Sequence, residues 1–76
     1  MEQFVEYIVK NLVDAPDAVK VVCLKGQKEV LVEIRVGAED TGKVVGRRGE
    51  TINSLRTLLS LVAYKTGYRA HLELIE

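Results

Sequence analysis

The sequence predicts a two-layer α+β domain: a three-stranded mixed sheet with three helices on one face. Three observations lead there. A helical apolar period runs near each end of the chain, over residues 2–13 and 50–65. An alternation with a period of two occupies residues 29–36. Two glycines three apart, Gly46 and Gly49, separate a short helical stretch from a long one. The resulting order is α-β-β-α-α-β.

The first helix follows from Phe4, Ile8 and Leu12, four residues apart, with Val5 and Val9 widening the stripe. Pro16 disfavours helical geometry in the residue before it, so the helix must end by Asp14-Ala15. Val19, Val21 and Cys23 then alternate with Lys20, Val22 and Leu24. Val30, Val32, Ile34 and Val36 alternate with Glu29, Leu31, Glu33 and Arg35. Lys25-Gly26-Gln27-Lys28 is short enough to make these two strands a hairpin, hence antiparallel.

A brief helix is predicted over residues 39–45, with Glu39 and Asp40 placed where acids favour a helix start. The long helix over 50–65 should bury Ile52, Leu55, Leu59 and Val62, with Leu58 and Ala63 beside them. Gly67 suits a left-handed cap. The last strand, 68–75, sets Ala70, Leu72 and Leu74 on one face and Arg69, His71 and Glu73 on the other. A strand joined to its neighbour through helices lies parallel to it.

The chain of 76 residues fits one domain, residues 1–76. At that size burial is limited, and self-association would add stability. The single cysteine, Cys23, cannot form an internal disulfide and reads as a core residue. It points to an intracellular, cytoplasmic protein. The N-terminus does not read as a signal peptide, and no apolar run approaches the roughly 20 residues of a membrane span.

Formal net charge is zero, yet it is unevenly distributed. Residues 43–69 hold Lys43, Arg47, Arg48, Arg56, Lys65 and Arg69 against Glu50 alone, whereas residues 1–42 hold eight acids and five bases. A neutral chain with one basic segment still offers a footprint for a polyanion. Catalytic classes find little support. No Ser-His-Asp or Cys-His arrangement stands out, the lone His71 reads as a surface residue, and no metal-ligand spacing or nucleotide phosphate loop is present, so neither enzyme activity nor a cofactor is expected.

The informative segment is Val44-Val45-Gly46-Arg47-Arg48-Gly49-Glu50-Thr51-Ile52. Glycine lets a backbone turn tightly and approach a ligand closely. The loop feeds a helix N-terminus, whose free amides and dipole favour phosphate. Arg47 and Arg48 at the tip can meet phosphate oxygens. Lys43, one turn earlier, can add attraction. Val44, Val45 and Ile52 can line an apolar groove or pack in the core, with core packing favoured for Val45 and Ile52. Arg56 lies a turn beyond Ile52 and can reach a base or phosphate or form a surface salt bridge; Asn53 can read a base edge or face water. Thr51 is expected to face solvent.

This segment resembles the V-I-G-x-x-G-x-x-I core of the KH domain, reading V-V-G-R-R-G-E-T-I here. The preceding helix and strand resemble the type II arrangement. The Gly42-to-Gly49 segment, Leu55-Arg56 and the opening Phe4-Val5-Glu6-Tyr7-Ile8-Val9 with Leu12-Val13-Asp14 resemble the small single-KH bacterial family KhpA. The resemblance implies single-stranded RNA held by the loop over about four nucleotides. It also implies a chaperone or post-transcriptional role, a homodimer, and pairing with a second KH protein resembling KhpB. The implied RNA-binding residues are Lys43, Val44, Gly46, Arg47, Arg48, Gly49, Ile52, Asn53 and Arg56. Aromatic residues are absent near the loop, so bases would rest on an apolar groove rather than on rings. The competing reading is a protein-interaction subunit, using Val22, Leu24 and Leu31 on the sheet face away from the helices.

Overall fold

A computed structural model describes residues 1–75. Its helices are α1 (Glu2–Leu12), α2 (Thr41–Val45) and α3 (Glu50–Lys65); its strands are β1 (Lys20–Lys25), β2 (Glu29–Arg35) and β3 (Arg69–Ile75). Short 3-10 turns at Pro16–Ala18, Ala38–Asp40 and Arg47–Gly49 join them. The sheet order is β1-β2-β3, with β1 antiparallel and β3 parallel to β2. This is the mixed sheet that the hairpin and the helical crossover require.

Register explains which side chains meet. The inner face carries the rows Val21–Ile34–Leu74 and Cys23–Val32–Leu72, and Val30 beside Ala70. Val5 and Val9 of α1, Val44 of α2 and Leu55, Leu59 and Ala63 of α3 complete one core above them. The outer face carries Val22–Glu33–Glu73 and Leu24–Leu31–His71. Both edge strands are met by side chains. The Cys23 N–H donates to Glu2 Oε2 at 3.3 Å on one edge, and Arg56 Nε donates to the Leu72 carbonyl at 3.4 Å on the other.

Two helices are rotated relative to the apolar stripes read from sequence. In α1 the fully buried pair is Val5 and Val9; Phe4 is exposed, and Ile8 and Leu12 are half-buried. The five-residue stripe is wider than a helix can bury against a single layer, so its edge remains open. In α3, Leu55, Leu59 and Ala63 recur every four residues and face the sheet, whereas Val62 is 41% exposed beside Leu58 and Leu61.

Asp40 is the one buried charged residue among those described, 3% exposed. Its sequence position suggested a helix-start acid, but its carboxylate makes no cap to α2. It accepts the backbone N–H groups of Asp14 and Ala15 at 3.2 and 3.0 Å, tying the exit of α1 to the start of α2. Lys43 Nζ closes the arrangement, 3.2 Å from Asp40 Oδ1 and bonded also to Asp14. Burial alone would push the Asp40 carboxyl up; the two amides and the ammonium outweigh it and hold the carboxyl below its ordinary value.

Candidate nucleic-acid interface

The loop between α2 and α3 is built on three residues at positive φ, Gly46, Arg48 and Gly49, with Arg47 between the first two in ordinary geometry. The Gly46 N–H ends α2 by donating to the Gly42 carbonyl at 2.8 Å, and Gly46 then adopts φ 76°, ψ 175°. Arg48 follows at φ 56° and Gly49 at φ 77°. A Cβ at Gly46 would lie 2.9 Å from the Thr51 N atom and collide with the Thr51 hydroxyl. Thr51 is therefore half-buried against the loop rather than solvent-facing. No sequence signal marks that contact, because it depends on the loop folding back over the first turn of α3.

The N-terminus of α3 has no side-chain cap, since Gly49 occupies that position. The Gly49 and Glu50 N–H groups donate back to the Gly46 and Arg47 carbonyls within the turn; the rest of the first turn has no side-chain partner, and the helix dipole there favours an anion. Arg47 and Arg48 are exposed and form no ion pair among the described residues. Glu50 in the first turn is the single opposing charge.

The other residues singled out by sequence divide into three groups. Val44 is fully buried and offers no side-chain surface to a ligand; it supports α2 from inside the core. Ile52 is buried, as the sequence suggested; Val45 packs against the core but is only half-buried, and is the most accessible of the three. Lys43 is engaged by Asp14 and Asp40; its hydrogen bonds to Asp14 and then Asp40 hold the ammonium above its ordinary value against a small burial effect. Its charge therefore serves the junction of α1 and α2 before it serves the loop.

Asn53 and Arg56 act as a pair: Arg56 Nη1 donates to Asn53 Oδ1 at 3.0 Å. Asn53 lies directly behind the loop, its Nδ2 3.5 Å from where a Gly49 Cβ would stand. Arg56 bridges to the Leu72 carbonyl instead of forming a salt bridge. Beyond it a cleft of about 380 Å³ runs between α3 and β3, lined by residues that include Arg56, Ser60, Leu72 and Glu73. Because β3 is paired on one side only, alternate residues turn their backbone N–H and C=O groups toward this open edge.

His71 faces Glu29, with Nε2 3.1 Å from Oε1. Burial and then the nearby Glu2 carboxylate push the Cys23 thiol up, away from reactivity. No group of three or more metal-ligating side chains occurs among the described residues.

The protein family described as KhpA/KhpB, KH domain, matches residues 2–74. The chain belongs to this KH-domain family. Relatives agree over nine tenths or more of their lengths. The RNA-binding protein KhpA of Borreliella burgdorferi is 43% identical over 74 residues, spanning 97% of this chain and 90% of the relative. Proteins of the same name from Chlamydia pneumoniae and Aquifex aeolicus are 41% and 40% identical over 76 residues, spanning all of this chain and 97% and 96% of theirs. No solved structure gives a significant match. The loop Gly46-Arg47-Arg48-Gly49 has G-x-x-G spacing, and both of its glycines adopt a positive φ that glycine reaches without strain.

Proposed function

We propose that this KH domain binds single-stranded RNA, gripping the backbone at the 46–49 loop and laying bases along the start of α3. The observation that carries the reading is the pair of unpaired arginines in front of an uncapped helix N-terminus. The names of its relatives, RNA-binding proteins KhpA, support it. Arg47, Arg48 and the α3 amides would take phosphates. Val45, Asn53 and Arg56 would meet the bases, Arg56 exchanging its Leu72 contact for the ligand. The role is binding rather than catalysis, in a cytoplasmic chaperone or regulator of RNA. No helix among the described residues is long and apolar enough to cross a membrane.

Anisotropy of a short labelled RNA across a salt series tests this. Wild type should weaken with a slope of about −0.7 per neutralised phosphate. The variant Arg47→Asp/Arg48→Asp should retain its fold and lose binding by at least tenfold. Equal binding by both proteins would remove the loop from the mechanism. Single-stranded DNA in parallel reports whether the 2′-hydroxyl contributes.

A protein-interaction role is favoured by a different observation: Val22 and Leu24 are 46% and 52% exposed on the outer sheet face. Self-association into a homodimer, or pairing with a second KH protein of the KhpB kind, would cover them. The two roles are compatible, since the loop lies at the start of α3 in the helix layer.

A further inference from the structure

The end of α3 remote from the loop gathers a second set of cations around two aromatic rings. The β1–β2 turn, the last turn of α3 and the start of β3 meet there around an open cleft of about 700 Å³. Lys28, Arg69 and Tyr64 line it, with Tyr68 beneath. Lys25 Nζ stands 5.2 Å from the centre of the Tyr68 ring, and Lys65 follows Tyr64 in the chain. None of these four cations joins an ion pair among the described residues. Glu29, the acid of the cleft, is turned to His71. Tyr64 is 83% exposed. A bare ring among free cations matches nucleotide chemistry: phosphates meet ammonium and guanidinium groups while a base stacks on the ring.

A second observation links this pole to the loop. Asn53, Thr57, Ser60 and Tyr64 follow one another at steps of four, three and four, so they share one flank of α3. The α3–β3 cleft, with Arg56 and Ser60 in its wall, lies along the way. Leu58 lies well off this flank, while the exposed Leu61, four beyond Thr57 and three before Tyr64, borders it. The track runs from the loop to Tyr64 over polar side chains with Leu61 at its margin, along a helix of 16 residues or about 24 Å. The dipole at this helix end opposes an anion, but its last carbonyls are occupied: Ala63 accepts from Thr66 and Tyr68, and Tyr64 from Gly67.

We propose that this pole is a second single-stranded RNA subsite, in which a base beyond those held near the loop stacks on Tyr64 while Lys28 and Arg69 take adjacent phosphates. The inference rests on the RNA-binding reading of the loop. It concerns a strand longer than the roughly four nucleotides that a KH loop clamps.

The test compares RNAs of about four and about twelve nucleotides by anisotropy, using the intact chain. Wild type should bind the longer RNA more tightly. Tyr64→Ala should leave the short RNA unaffected and weaken the long one about fivefold or more, the lower end of base-on-ring stacking. Tyr64→Phe should restore it. Lys28→Gln/Arg69→Gln should lower the salt slope for the long RNA by about 0.7 per phosphate released. Tyr64 is exposed, so these effects should appear at unchanged thermal midpoint. Equal affinity of wild type and Tyr64→Ala for the long RNA overturns the proposal. So does a loss traced by light scattering to a change of oligomeric state, which would assign the pole to a second protein. If Arg47→Asp/Arg48→Asp binds both lengths as wild type does while the pole variants fail, the loop reading falls and the pole stands. If no RNA of either length binds, both fall.

Discussion

Gly46 combines φ 76° with an extended ψ of 175°, a region that side chains effectively exclude, and Thr51 fills the space where a Cβ would go. Gly49 needs only the left-handed region, with ordinary room around it. Gly46→Ala should therefore cost more than Gly49→Ala: roughly 3 kcal/mol or above, against about 1–2 kcal/mol. Chemical denaturation of the two variants gives the comparison, and equal losses would mean that the Thr51 contact yields easily. Arg48 adopts φ 56° without being glycine. Arg48→Gly should relieve about 0.5–1 kcal/mol of strain, net of glycine's flexibility in the unfolded chain, while weakening RNA binding. A rise in thermal midpoint together with a fall in affinity would mark a residue kept for its charge. The glycines and arginines were legible in sequence because their chemistry is local. The burial of Val44 and Thr51 was not, since apolar and β-branched residues beside a loop read alike whether they face in or out.

The junction between α1 and α2 depends on one carboxylate. Asp40 accepts two amides from the exit of α1 and the ammonium of Lys43, and those contacts keep its carboxyl below the ordinary value against the opposing effect of burial. A carboxyl held low in the fold stabilises above its unfolded value near 3.9, and this contribution is lost as pH falls through the folded value. Lys43, held high, behaves in the opposite sense: its contribution is complete below about 10.4 and is lost as pH rises through the folded value. Asp40→Asn should flatten the loss of urea stability below about pH 4, and Lys43→Gln the loss at the alkaline end. An unchanged pH profile in Asp40→Asn would show that the junction does not depend on charge. Sequence patterning placed every helix and strand, because periods of two and 3.6 are written in neighbouring residues. It could not assign Asp40 its partners, which lie 25 and 26 positions away. It also could not choose Ala63 over Val62, which required knowing where the sheet lies beneath α3.

For the whole molecule, the charge distribution follows the division of labour that the fold imposes. The loop arginines form no ion pair among the described residues, while Lys43 in the same basic segment is paired. Net charge near zero thus coexists with a local site. The exposed Val22 and Leu24 should bring two copies together at tens of micromolar; light scattering should give a dimer mass for wild type and a monomer mass for Leu24→Asp. A monomer mass for wild type across that range would sink the dimer. The side chains that meet the two outer strands have a further effect. Glu2 occupies an amide on the β1 edge and Arg56 a carbonyl on the β3 edge. A foreign strand seeking to add to either border finds a charge standing in the row where its own backbone would bond. Each border is thus interrupted at one backbone group, and a ligand that drew the Arg56 guanidinium away would free the Leu72 carbonyl on the β3 side.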